Sequence, residues 1–190
     1  MRHLARLFAI AAIWTLAASA YAQDVSLGTD NFLPRLQAAN ATNCGNLQKQ
    51  GSVNIVSNDE GDVMLQEFVR MCGFTVSDEA ERTIHINIDP EYGKATDYAL
   101  KGFDNEAYSL NVCQGGVDIT AASHMGVCRA LATLMQMAME GDELASCSIQ
   151  DYPAFKLRGF MHDVGRSFVG FDELKEELKT LARFKVNCFH

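Results

Sequence analysis

The sequence predicts a small α+β domain followed by the first unit of a β/α repeat. Strand and helix patterns alternate irregularly over residues 23–150, which is typical of an α+β domain with a small sheet and two helices. Residues 151–190 then follow a regular order of apolar strand, polar turn, amphipathic helix and second apolar strand. Strand, helix and strand in so short a stretch indicate a βαβ unit, and therefore a parallel sheet.

The composition indicates a folded, acidic protein. The chain has 190 residues, of which 48% are hydrophobic and 21% are charged, and its formal net charge is -8. These fractions are typical of globular rather than disordered proteins. The sequence has no basic stripe, and this argues against binding to nucleic acid, which depends on neutralising phosphates.

The first 22 residues have the features of a signal peptide. Two arginines near the start precede an uncharged apolar run, and the Ala-Tyr-Ala sequence at 20–22 fits a cleavage site. The apolar run is shorter than the roughly 20 residues of a membrane span, and a retained anchor or a buried helix is the alternative. We expect cleavage before Gln23, export to the periplasm or the extracellular space, and no membrane span in the mature chain.

The elements of residues 23–150 follow from periodicity. Strands are predicted where polar and apolar residues alternate, and helices where apolar residues recur every three or four positions. Ser123 is placed to cap the second helix, and the Gln-Gly-Gly sequence before residue 117 predicts a β-hairpin. The predicted order is an irregular strand within 23–50, a strand at 52–57, a helix at 63–72, a strand at 83–89, hairpin strands at 108–113 and 117–121, a helix at 124–140 and a strand at 144–150.

The elements of residues 151–190 are more regular. The apolar run Phe155–His162 predicts a buried strand, and Asp172 is placed to cap a helix at 173–184 with one apolar face. Acidic residues near the start of this helix and basic residues near its end complement the helix dipole. A second strand is predicted at 186–190.

The six cysteines are too widely spaced for a disulfide-dense scaffold, and the sequence leaves their pairing open. No histidine lies at ligand spacing from a pair of cysteines, so we expect no metal site. Most of the cysteines are predicted to be buried free thiols that pack as small hydrophobic groups. They are Cys44, Cys72, Cys113, Cys128, Cys147 and Cys188.

Three residues of the last segment are candidates for a site. Arg158 is a charge within a strand pattern that should be buried, and its guanidinium could pair with a carboxylate or with vicinal sugar hydroxyls. Asp163 follows the strand at its C-terminal end, where barrel enzymes carry functional side chains. The structural alternatives are an ion pair of Arg158 with Asp163, and an ion pair or turn hydrogen bond of Asp163 with Arg166. His190 could line a site from the second strand.

The last segment resembles a known family. The sequence KLRGFMHDVGRSF at 156–168 looks like the first barrel strand and loop of family 20 glycoside hydrolases, the β-N-acetylhexosaminidases. The sequence FKVNCFH at 184–190 resembles the opening of that family's second barrel strand. Residues 106–134 are similar to the hairpin and helix that close its small N-terminal domain. Ser167 departs from the commoner pattern, which has histidine there.

The resemblance implies an accessory α/β domain over 23–150 and the start of a (β/α)8 TIM barrel over 151–190, truncated after its second strand begins. Its Arg-Gly pair implies that Arg158 binds hydroxyls of the terminal sugar, with Asp163 and His190 as supporting residues. The family's catalytic Asp-Glu pair lies on a later strand that no position here matches. We therefore expect no catalytic residue in this segment, no activity of the fragment alone, and exposed apolar surface on its barrel part.

The resemblance also implies the chemistry of the parent protein. Such enzymes remove terminal N-acetylhexosamine residues from glycans with retention of configuration, and the substrate's own acetamido group attacks the anomeric carbon. They need neither a metal nor a cofactor. Two alternatives remain open: a non-catalytic glycan-binding or envelope accessory domain, and another barrel hydrolase that acts on N-acetylglucosaminides.

Overall fold

A computed structural model describes residues 27–58, 63–94, 104–139 and 141–190. The predicted signal peptide at 1–22 lies outside the described residues. None of the helices in these four ranges is long and apolar enough to cross a membrane.

The described residues form eleven strands and three α-helices. The helices are α1 (Val63–Met71), α2 (His124–Met137) and α3 (Phe171–Arg183), and short 3-10 turns cover Thr29–Asn31 and Asp104–Glu106. The strands are β1 (Ala38–Ala41), β2 (Leu47–Gln48), β3 (Ser52–Ser57), β4 (Thr75–Val76), β5 (Thr83–Ile88), β6 (Tyr108–Cys113), β7 (Gly116–Ala121), β8 (Glu143–Leu144), β9 (Cys147–Asp151), β10 (Gly159–Phe160) and β11 (Cys188–Phe189).

Seven of these strands form one mixed sheet in the order β1-β9-β6-β7-β5-β3-β4. The β7, β5, β3 and β4 strands are parallel neighbours, whereas β7, β6, β9 and β1 are antiparallel neighbours. The predicted hairpin is confirmed as β6–β7, with Val112 opposite Val117. The sheet is larger than the few strands that the sequence predicts, because β1 and β4 are too short to give a clear alternating pattern.

One face of the sheet carries the core. In β5, Ile84 and Ile86 are buried while His85 is exposed, as the alternation predicts. Helix α2 packs on this face over β6 and β7, and α1 packs beside it. The Ser123 hydroxyl accepts the Met125 N–H at 3.1 Å and so caps α2, as expected. The helix ends at Met137 rather than at residue 140.

A close backbone contact explains one glycine of α2. A Cβ atom at Gly126 would lie 2.7 Å from the Ala107 carbonyl oxygen and 2.9 Å from the Ala121 Cβ. The helix therefore approaches the sheet closely only because residue 126 has no side chain.

The cysteines divide into paired and free groups. Cys44 and Cys113 form a disulfide across 69 residues, so Cys113 is not one of the predicted free thiols. Cys72 and Cys147 are buried and free, but Cys128 is half-buried and Cys188 is exposed. The prediction that most of the six cysteines are buried free thiols is therefore wrong. Burial raises the pKa of Cys72 to about 12 and that of Cys147 to about 11, despite weaker opposing effects of the Arg183 charge and of a backbone hydrogen bond from Val112. Both side chains therefore remain protonated thiols at neutral pH.

Residues 155–190 form the predicted βαβ unit, because β10 precedes α3 in the sequence, β11 follows it, and the two strands pair in parallel. Each strand has only two residues, so the predicted buried strand Phe155–His162 is wrong in its length. It is also wrong in its burial, because six of these eight residues are exposed and none is buried. Helix α3 begins at Phe171 after Gly170, and Asp172 lies inside its first turn rather than at its cap. The Glu173 carboxylate accepts the Gly170 N–H at 3.0 Å. Two strands do not test the TIM barrel, which stays a prediction.

Candidate functional site

A pocket of about 210 Å³ lies between residues 27–152, called here the accessory unit, and residues 155–190, called the C-terminal segment. Apolar side chains of the connection between them form much of its wall. Six charged or hydroxyl side chains of its lining are linked in two clusters. They are Glu106, Tyr108, Arg129 and Asp151 of the accessory unit and Arg158 and Lys185 of the C-terminal segment.

Local structure brings the accessory-unit residues together. Glu106 and Tyr108 lie at the start of β6, and Asp151 is the last residue of the neighbouring β9. Asp151 and Tyr108 are paired across the two strands. In β9 the side chains of Cys147, Ile149 and Asp151 alternate onto the buried face, so the strand period places this carboxylate in the core.

Glu106 is the centre of the first ion cluster. Its Oε2 atom accepts from Arg129 Nε at 2.7 Å and from Arg158 Nη2. Burial by itself raises the pKa of the Glu106 carboxyl, but hydrogen bonds from Arg129 and Arg158 and their charges outweigh it and hold the pKa below its usual value. Only 9% of Glu106 is exposed, so this carboxylate is held ionised in a mostly dry environment.

Lys185 is the centre of the second cluster. Its Nζ atom donates to Asp151 Oδ2 at 2.8 Å and to the Tyr108 hydroxyl at 2.9 Å. The Tyr108 hydroxyl donates to the same carboxylate at 2.9 Å and lies 2.5 Å from the Thr133 hydroxyl. Exposure is 4% for Lys185 and 7% for Asp151. Every charge in this cluster thus has a partner within hydrogen-bonding distance, as buried charges require.

Burial changes the acidity of this second cluster. Desolvation lowers the pKa of Lys185 more than the Asp151 carboxylate raises it, and the charges of Arg129 and Arg158 act in the same direction as burial. Desolvation and the Asp151 charge raise the pKa of Tyr108 well above its usual value. The tyrosine is therefore a neutral hydrogen-bonding group over the physiological pH range.

The structure shows Arg158 in an ion pair with Glu106, not with Asp163. Its Nε atom also donates to the Lys185 carbonyl at 2.7 Å, and its Nη1 atom to the Phe155 carbonyl at 2.7 Å. Arg158 lies just before β10, at the strand's N-terminal end. Its predicted contact with sugar hydroxyls stays a prediction, and its protein contacts favour the structural alternative.

The other predicted residues lie at the opposite end of β10. Asp163 accepts the N–H groups of Gly165 and Arg166 at 2.9 and 3.1 Å, and its second oxygen lies 3.3 Å from Arg166 Nε. The predicted alternative of a turn and ion pair with Arg166 is thus what the structure shows. His190 pairs through its backbone with β10 and has an exposed side chain. The structure brings Asp163 and Arg166 together but separates both from Arg158.

Sequence reasoning missed Glu106, Asp151 and Lys185 as partners. One signal was available, because Asp151 falls on the apolar face of a strand pattern, as Arg158 does on its own. Two charges of opposite sign, each misplaced within an apolar pattern, are candidates for pairing. No sequence pattern predicts the tertiary contact between Glu106 and Arg158, which are 52 positions apart. Within the described ranges, no three metal-binding side chains lie close enough together to hold an ion.

Comparison with known proteins identifies the family. The family model for glycosyl hydrolase family 20, domain 2, matches residues 30–152, which is most of the described chain. This chain belongs to glycoside hydrolase family 20. The model for the catalytic domain of family 20 matches residues 155–190, so the boundary of the two matches coincides with the junction that holds the pocket.

The curated relatives of this family 20 chain are β-hexosaminidases. A β-hexosaminidase of Vibrio furnissii is 39% identical over 90 residues, which are 46% of this chain and 15% of the relative. A β-N-acetylhexosaminidase of Cellulomonas fimi is 38% identical over 90 residues, which are 45% of this chain and 18% of the relative. The aligned region therefore spans less than a fifth of either relative.

Solved structures agree with the fold of a family 20 protein. The exo β-N-acetylglucosaminidase of Vibrio harveyi superposes with a TM-score of 0.65 at 28% identity, over 87% of this chain and 26% of that one. A Streptomyces plicatus β-hexosaminidase superposes with a TM-score of 0.67 at 21% identity, over 89% of this chain and 35% of that one, and supports the fold alone.

Proposed function

We propose that this chain is the N-terminal part of an exported β-N-acetylhexosaminidase that removes terminal N-acetylhexosamine residues from glycans. One observation carries the proposal: the family's domain 2 and its catalytic domain match in succession, without overlap, over residues 30–152 and 155–190. The names of the relatives give the activity class. Retention of configuration through the substrate's acetamido group, without metal or cofactor, is part of the proposal.

The disulfide supports the exported location. Disulfides form and persist in oxidising compartments and are rare in the cytosol. The Cys44–Cys113 bond links the loop after β1 to the end of β6, and its formation is favoured in such a compartment. The expected product of export begins at Gln23. Intact-mass measurement of the secreted protein tests this, and a mass that includes residues 1–22 would contradict it.

The geometry favours a new assignment of the sugar-facing residues in the C-terminal segment. Barrel enzymes build their sites on the loops at the carboxyl ends of the strands. Asp163 and Arg166 occupy that end of β10, whereas Arg158 is buried against Glu106 at the other end. We therefore assign sugar contact to Arg166, oriented by Asp163, and an architectural role to Arg158.

Hydrolysis of an aryl N-acetyl-β-glucosaminide tests the function. We expect the complete gene product to release the aryl group with retention, which NMR of the first-formed sugar detects, and the 190-residue chain to show no turnover. A complete product that binds chitooligosaccharides without cleaving them would instead support the glycan-binding alternative. Cleavage with inversion of configuration would contradict the proposed mechanism while leaving the hydrolase class intact.

A further inference from the structure

The boundary between the two parts of the chain is crossed by two ion pairs with the charges arranged in the same sense, one of them buried and the other partly buried. In both, the acid belongs to the accessory unit and the base to the C-terminal segment: Glu106 with Arg158, and Asp151 with Lys185 at 2.8 Å. The accessory unit contributes further polar partners, since the Tyr108 hydroxyl bonds Lys185 and Arg129 shares the Glu106 carboxylate. The charges on the two surfaces are therefore complementary.

We propose that the accessory unit is a docking platform for the C-terminal segment, and that these two ion pairs are the anchors that hold the segment in place. The proposal goes beyond hydrolase activity, because it concerns what the accessory unit does for the part of the chain that follows it.

Little else in the described part of the chain buries the C-terminal segment. Both residues of β10 are exposed, and α3 has no buried residue. Within the segment, Lys185 is the one residue of the buried class. The contact of α3 with α2 adds one long-range hydrogen bond, from Gln136 Nε2 to the Arg183 carbonyl at 2.8 Å. Full burial in the segment is thus limited to the Lys185 anchor, and partial burial includes Arg158 and residues 181–184.

The anchors also set where both strands of the segment begin. Arg158 directly precedes β10, and Lys185 lies three positions before β11. The Arg158 Nε atom donates to the Lys185 carbonyl at 2.7 Å, so the two anchors are joined to each other. The Asn187 N–H donates to the Arg158 carbonyl at 3.0 Å and continues this link into the strand pair. Holding these two residues therefore fixes β10 and β11 relative to the accessory sheet.

Hydrogen–deuterium exchange of the 190-residue chain tests the proposal with the variant Arg158→Met. This change removes one anchor but leaves Glu106 paired with Arg129, so the accessory unit keeps a partnered carboxylate. We expect exchange at the His162 and His190 amides, which join β10 to β11, to become at least tenfold faster while the amides of β6 and β7 keep their rates. Lys175→Met, which removes an exposed ion pair of α3, is the matched control and should change neither set.

A double-mutant cycle on the Asp151–Lys185 ion pair tests the second anchor. Asp151→Asn leaves the buried Lys185 ammonium without a carboxylate, whereas the double variant with Lys185→Met removes both charges. If the pair is an anchor, the effects are non-additive, and the double variant exchanges more slowly in the segment than Asp151→Asn alone. If either single variant fails to fold, Arg158→Met decides the question.

Two results would overturn the proposal: unchanged exchange in the segment of Arg158→Met, or an equal acceleration in β6 and β7, which would mean global destabilisation. Neither result depends on turnover, so the proposed hydrolase function would stand or fall separately.

Discussion

At the scale of single residues, two of the three arginines of the C-terminal segment, Arg158 and Arg166, have opposite environments. Arg158 is buried against Glu106, whereas the side chain of Arg166 is 91% exposed and is held by Asp163. An exposed guanidinium that is already oriented by a carboxylate is free to donate to ligand hydroxyls with its remaining N–H groups.

This difference predicts separable effects of two substitutions on the proposed hydrolase activity of the complete protein. Arg166→Ala should lower kcat/KM by about 100-fold, because a charge-assisted hydrogen bond to the sugar is worth about 2–3 kcal/mol. Arg158→Met should lower the free energy of unfolding and leave kcat/KM of the folded protein within a few-fold. Steady-state kinetics with thermal unfolding of both variants measures this. The reverse pattern would restore Arg158 as the sugar-binding residue.

The lowered pKa of Glu106 predicts that the folded protein loses stability at acid pH. The Glu106 pKa is lowered in the folded state, mainly because Arg129 and Arg158 overcome the opposing effect of burial. A lowered carboxyl pKa stabilises the fold above the unfolded-state value of about 4.3 and loses that contribution as the pH falls through the folded-state value.

We therefore expect the free energy of unfolding to fall between about pH 5 and pH 3, and the slope to become shallower in Glu106→Gln. Urea unfolding at several pH values measures the slope. Glu91→Gln is a suitable control, because Glu91 forms an exposed pair with Lys94 at a similar distance of 2.7 Å. Equal slopes in wild type and Glu106→Gln would exclude the buried pair as the source.

At the scale of elements, the β6–β7 hairpin depends on one glycine. Gly116 has a φ of 149°, and a Cβ atom there would lie 1.9 Å from the Thr83 carbonyl oxygen of β5. The neighbouring Gly115 has no atom within 4 Å of the same position. The close parallel pairing of β7 with β5 therefore requires glycine at 116 but not at 115.

Gly116→Ala should lower the free energy of unfolding by about 3 kcal/mol, because the strands must separate to admit the methyl group. Gly115→Ala should change it by less than about 1 kcal/mol. Chemical denaturation of both variants gives the two values. Similar losses in both would show that the turn, rather than the β5 contact, sets the requirement.

Sequence patterns predicted the positions of the longer strands better than the positions of the short strands, which form only by pairing with distant segments. The alternation in β3, β5, β6 and β7 gave these strands within about two residues, because one face of each is buried. Strands β1, β4, β10 and β11 have two to four residues, too few for a period, so their positions depend on neighbours distant in sequence. The Asp172 cap was misplaced because Gly170 is the N-cap, and the Glu173 carboxylate accepts its N–H.

In the candidate site, likewise, local features were predictable from the sequence and long-range contacts were not. Arg158 was identifiable as a buried charge because it interrupts an apolar run. Its partner was not, because Glu106 is 52 positions away and is brought close by the arrangement of α2 and β6. Arg166 and Asp163, by contrast, are three positions apart, and a local turn was sufficient to predict their pairing.

At the scale of the whole molecule, the Cys44–Cys113 disulfide closes a loop that contains much of the accessory unit. The bond lowers the entropy of the unfolded chain, and a loop of this length corresponds to about 4 kcal/mol of stability. We expect the Cys44→Ala/Cys113→Ala variant to lose approximately that amount. Denaturation of this variant beside Cys188→Ser, which alters an exposed cysteine, measures the loss. Equal stability of both variants would show that the bond is dispensable.

The predicted exposure of apolar surface on the C-terminal segment is confirmed. Phe168 is 92% exposed, and Phe155, Leu157, Met161 and Phe171 are also exposed, whereas the outer sheet face of the accessory unit presents polar groups such as His85 and Asp118. The chain is therefore amphiphilic, with its exposed apolar side chains concentrated in the C-terminal segment. In dilute solution it should adsorb to air–water interfaces and to micelles through this segment, and at higher concentration it should self-associate through the same surface.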